Sequence, residues 1–137
     1  MKTVEVSRVV DAPPGRVRHH LGPAELVENE GTFRVLDVTG GDGEWTVTAS
    51  AAGAVTATFD VRKTASGYSY EQVGTEGPFD AMRTEVILEE AGEGRTEVTM
   101  RSSVSMGLPL ASLTDRIAAW KRRSELERAL DALAAEL

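Results

Sequence analysis

The last thirty residues, from about Leu108 to Leu137, read as one long amphipathic helix closing a chain that is otherwise almost entirely strand-like. Leu110, Leu113, Ile117 and Trp120 recur at three- and four-residue spacing and share one face. Leu126, Leu130, Leu133 and Leu137 repeat the pattern on a second face. At about 1.5 Å per residue the segment extends roughly 40 Å, enough to cross a whole small sheet. Such a helix needs a curved sheet to lie in.

Upstream, residues 3–10 (TVEVSRVV) have the β-branched enrichment of a strand, which Asp11-Ala-Pro-Pro-Gly15 ends. Val17, Leu21, Leu26 and Val27, interrupted by Gly22-Pro23, predict two short helices over 13–20 and 23–29. From Gly31 onward, turn signals every eight to twelve residues divide the chain into strands at 32–39, 44–51, 54–63, 67–74, 79–90 and 95–106. Short connections make neighbours antiparallel, so an α+β fold with a seven-stranded antiparallel sheet is expected. Trp45, Val47 and Ala49, then Val55, Ala57, Phe59 and Val61, alternate with threonines and charges, as do Met82, Thr84, Val86 and Leu88 with Arg83 and Glu85. One sheet face is apolar, and the C-terminal helix is the partner left to cover it.

The 137 residues suit one domain, 1–137, with a substantial core. There is no cysteine and no run that reads as a membrane span or cleavable leader, so a cytoplasmic protein is the default expectation. The net charge of −7 falls on residues 1–107, which carry ten basic and seventeen acidic side chains, while residues 108–137 carry five of each. An acidic sheet argues against nucleic acid or an anionic membrane as the main partner.

The opening Val6-Ser-Arg-Val-Val-Asp-Ala-Pro-Pro14 and the terminal Trp120-Lys-Arg-Arg-Ser-Glu-Leu-Glu-Arg-Ala-Leu-Asp-Ala-Leu133, in this order of elements, resemble the START-like helix-grip superfamily, the SRPBCC or polyketide cyclase/dehydrase and lipid transport group. The resemblance implies a sheet curled around the long helix, enclosing a cavity for an apolar or amphipathic small molecule. Members of the group carry ligands, act as cyclases or hydrolases, or work through partner proteins.

Tyr68, Tyr70 and Gln72 alternate on one face of the fifth strand, and Thr84 and Ser102 join them from the next two. On an inward face these groups orient a ligand's carbonyl or hydroxyl; otherwise the tyrosines cover an exposed sheet. Met82, Met100 and Met106 suit an adaptable pocket or a plain core. Trp120 either caps the cavity or anchors the helix to the sheet. His19 and His20 are about 100° apart on a helix, so only one can aim inward; His20, beside Val17 and Leu21, is the candidate general base of the two, against a plain surface pair. Asp60, Arg62, Arg83, Glu85, Glu97 and Arg101 alternate on the wet face, and no carboxylate pair is expected inside. Lys121-Arg122-Arg123 reads as a solvated helix face, since Glu125 and Glu127 follow Lys121 and Arg123 by four residues. No zinc spacing, HExxH, GxSxG or phosphate loop occurs, so neither metal nor cofactor is expected.

The expected function is therefore binding of a small hydrophobic or amphipathic molecule in a cavity between sheet and C-terminal helix. One alternative is a polyketide cyclase- or dehydratase-like enzyme with His20 or a tyrosine as acid/base. The other is a protein-interaction module whose acidic face meets a basic partner.

Overall fold

β-branched residues alternating with polar ones from Lys2 to Ser105 build seven strands: β1 (Lys2–Val10), β2 (Arg34–Gly41), β3 (Glu44–Ala51), β4 (Val55–Lys63), β5 (Gly67–Gln72), β6 (Ala81–Glu90) and β7 (Thr96–Ser105). Between β1 and β2 lie two single-turn helices, α1 (Pro14–His19) and α2 (Pro23–Glu28), each entered through a proline whose missing N–H costs nothing there. The chain ends in α3 (Ala111–Glu136). This computed structural model describes residues 2–51, 55–74, 81–105 and 111–137, and for 111–115 the backbone alone. Met106, Leu108 and Leu110, the side chain of Leu113, and the expected strand residues 54, 79 and 80 lie outside the described residues.

The strands form one antiparallel, curved sheet in the order β1-β7-β6-β5-β4-β3-β2, so from β2 onward strands consecutive in the chain are neighbours in the sheet and β1 pairs with β7. Register places Tyr70 opposite Thr84 and Thr84 opposite Ser102, so three hydroxyls stand in a row across β5, β6 and β7. At the start of β5, Gly67 lies so close to β6 that an added Cβ would collide with the Val86 carbonyl oxygen. Only glycine permits that approach.

The inner face carries Val47, Ala57, Phe59, Val61, Val86, Val98 and Val104, all buried. Val55, expected among them, is exposed. The outer face is polar and paired across strands: Thr3 with Ser103 at 2.9 Å, Ser7 with Thr99 at 3.0 Å, and Arg101 donating to Glu5 at 2.9 Å. Such exposed pairs contribute a few tenths to about 1 kcal/mol each.

α3 packs along β1 and β7 and buries Ala118, Leu126, Ala129, Leu130 and Leu133. Of the other apolar stripe, the described side chains face solvent, Ile117 being 61% and Trp120 74% exposed. Trp120 therefore neither anchors the helix nor caps an interior. Ile117 and Leu126 are nine residues apart, which at about 100° per residue places them on opposite sides of the helix. A straight helix resting on one sheet buries one of the two stripes, and the one continued by Ala129, Leu130 and Leu133 is in the core.

Candidate functional site

Inside the grip, one end of the apolar interior holds a cluster of charged and hydroxyl groups centred on Arg122. This residue lies four before Leu126 and so points inward with it. Its side chain is 1% exposed. The expectation of a solvated Lys121-Arg122-Arg123 face holds for Lys121 and Arg123 and fails for Arg122, because helical phase separates it from its neighbours.

Arg122 grips Glu30 in bidentate fashion: Nη1 donates to Oε1, and Nη2 to Oε2 at 2.9 Å. Nη1 also reaches Glu125 Oε1 at 3.5 Å. Nε donates to Ser102 Oγ at 2.9 Å, and Nη2 to Thr84 Oγ1 at 2.8 Å and the Tyr70 hydroxyl at 3.2 Å. Thr84 and Ser102 share a 2.8 Å hydrogen bond, and Met82 Sδ lies 3.1 Å from the Thr84 hydroxyl. Tyr70 donates to Glu30 Oε2, and Thr32 donates to Glu125 Oε2.

Glu30 and Glu125, both buried, are thus an inner carboxylate pair where none was expected. The turn after α2 delivers Glu30. Gly31 at φ +81° reverses the chain so that Glu30 and Thr32, on either side of it, both reach the cluster. Arg128 Nε holds this turn against α3 through the Glu30 carbonyl at 3.0 Å.

Burial by itself would lower the affinity of the Arg122 guanidinium for its proton. Glu30 foremost, with Tyr70 and Glu125, outweighs that and holds it above its ordinary range, so Arg122 stays charged. Burial, then the neighbouring Glu30 carboxylate, pushes the Tyr70 phenol well above its usual value of 10.0. Its folded-state value exceeds the unfolded one, so this contribution to stability is complete below about pH 10 and declines as pH rises beyond it, by up to about 1.4 kcal/mol per unit. Urea denaturation across this range should show wild type losing stability more steeply above about pH 10 than Tyr70→Phe, which has no phenolic proton to lose. Parallel curves would mean that Tyr70 titrates normally in the fold.

The expected site residues separate into groups. Tyr70, Met82, Thr84 and Ser102 converge on Arg122. Met100 lies further along the interior, beside a void of about 10 Å³ lined also by Leu26, Val86, Ala129 and Leu133. Tyr68 is buried beneath α1, with the Arg18 guanidinium 5.5 Å from its ring centre. Gln72 is buried and donates to the Gly74 carbonyl at 3.1 Å. Trp120 faces outward. His20 Nδ1 lies 3.6 Å from Glu136, fourteen residues beyond Arg122 on α3 and so about 20 Å along the helix from the cluster.

Sequence reasoning missed Arg122, Glu30, Glu125 and Thr32. The signal for the two helix residues was present. Extending the Leu126–Leu130–Leu133 stripe back by one turn reaches Arg122, and Glu125 lies one turn before Ala129. Among the described residues no group of three His, Cys, Asp or Glu could hold a metal ion, and no helix is long and apolar enough to cross a membrane.

Solved structures share this fold. The Zhui aromatase/cyclase from Streptomyces sp. R1128 superposes with a TM-score of 0.74 at 16% identity, covering 96% of this chain and 93% of that one. A Thermus thermophilus protein, TTHA0849, gives 0.68 at 19% identity, covering 98% and 99%. A START superfamily protein from Mycobacterium smegmatis gives 0.65 at 10% identity, covering 98% and 97%. At these identities the likeness is one of fold. No curated protein sequence matches. The sequence family described as "Polyketide cyclase / dehydrase and lipid transport" matches residues 1–137. With its helix-grip architecture and its match along the whole length, the chain belongs to the polyketide cyclase / dehydrase and lipid transport family.

Proposed function

We propose that this protein binds a small hydrophobic or amphipathic molecule between the sheet and α3, its apolar body against Met100 and its neighbours and its polar end at the Arg122 cluster. The observation that carries this reading is the cluster itself. A group of hydroxyls and charges sits at one end of an interior that Val86, Val98, Met100, Ala129 and Leu133 make apolar. Sites for amphipathic ligands combine an apolar wall with a few convergent polar groups. The family's description and the fold support the same reading.

The void beside Met100, about 10 Å³, has room for one water at most. Binding therefore proceeds by displacement of side chains. Met100, unbranched and rotatable, is suited to yield, and Ala129 leaves the helix side low.

Native mass spectrometry of the purified protein, before and after extraction with organic solvent, tests the reading. A bound and extractable mass of a few hundred daltons is expected, as is a raised melting temperature with hydrophobic compounds that refill the emptied protein. Absence of any added mass, with no stabilisation by lipids or aromatic polyketides, would sink it. The remaining candidate would then be the interaction module.

A further inference from the structure

We infer that the interior site takes neutral, hydroxyl-bearing amphiphiles and rejects those that end in a carboxylate. The inference rests on the reading proposed above and names the ligand's polar end.

A buried arginine in an apolar interior is ordinarily a receptor for an anion. Here that capacity is used up within the protein. A guanidinium has five N–H groups. Nε serves Ser102, Nη1 serves Glu30 and Glu125, and Nη2 serves Glu30 and Thr84 with Tyr70 alongside. An incoming carboxylate would have to expel Glu30 or Glu125, leaving a second anion buried without its cation.

Acceptors, by contrast, remain. Each carboxylate has about four lone-pair positions. Glu30 receives Arg122 twice and Tyr70 once, and Glu125 receives Arg122 once and Thr32 once. Among the described residues one cation faces two carboxylates, so the cluster is short of donors and rich in acceptors. A ligand hydroxyl brings what is lacking. Thr32, half-buried at the edge of the cluster, already makes that contact from the protein side, donating to Glu125 Oε2. A ligand hydroxyl arriving there repeats it.

Calorimetric titration with two matched pairs tests the inference: 1-decanol against decanoate, and 2-naphthol against 2-naphthoate, at neutral pH. In wild type each hydroxyl compound is expected to bind at least about tenfold more tightly than its carboxylate partner. In Glu125→Gln, which removes one buried negative charge at constant shape, the ratio should fall towards one. Thr32→Val, which frees an acceptor while leaving the charges in place, should tighten binding of the hydroxyl compounds alone. It serves as the second variant if Glu125→Gln unfolds. Equal or tighter binding of the carboxylates by wild type overturns the inference and leaves the interior site standing. A preference that neither variant alters overturns it too, because the polar end is then elsewhere. If no member of either pair binds wild type, the proposed function and the inference fall together.

Discussion

Replacing Arg122 with methionine is expected to destabilise the fold by roughly 3–5 kcal/mol, the cost typical of removing one partner from a buried ion pair. The reason is what stays behind. Glu30 and Glu125 would remain buried with one guanidinium fewer between them, and Tyr70, Thr84 and Ser102 would each lose a charged donor. The single variant does not separate that effect from lost packing, since Arg122 is also the largest fully buried side chain among the described residues. The triple variant Arg122→Met, Glu30→Gln, Glu125→Met does. Neutralising both orphaned carboxylates should make it clearly more stable than Arg122→Met alone, because whole buried ionic clusters replaced by apolar groups often cost little. Urea denaturation at neutral pH measures both. A triple variant no better than the single one would mean that volume, rather than charge, holds this end of the core together.

The architecture was legible because it is written in periodicity. Alternation along β3, β4, β6 and β7 sets one face of each strand against the core, and a slip of one residue would reverse every side chain, so the pattern tolerates little ambiguity. The site was legible only where it shares that pattern. Tyr70, Thr84 and Ser102 were found through strand phase, and register then aligned them. Glu30 was not, because it stands in a turn, after α2 has ended at Glu28, where no period applies. Arg122 was obscured for a different reason. Composition treats Lys121, Arg122 and Arg123 alike and assigns all three to water, but the helix turns Arg122 alone into the core. Charge is a strong prior for exposure, and a buried polar cluster is where that prior fails.

The two apolar stripes of α3 make the same point in energetic terms. Leu126→Ala is expected to cost roughly 2–5 kcal/mol, since Leu126 is fully buried and its removal leaves a hole between helix and sheet that neighbours fill only in part. Trp120→Ala should change stability by no more than about 0.5 kcal/mol, although it deletes a far larger side chain, because at 74% exposure most of that surface is already in water. Side-chain size alone predicts the opposite order. Midpoints of urea denaturation for the two variants decide between them. A large loss for Trp120→Ala would mean that the stripe of Ile117 and Trp120 is covered in solution, and the helix face now read as open would have to be read as an interface. A small loss for Leu126→Ala would mean that the grip between α3 and the sheet is looser than its burial implies, which is also what a ligand entering by displacement near Met100 would need.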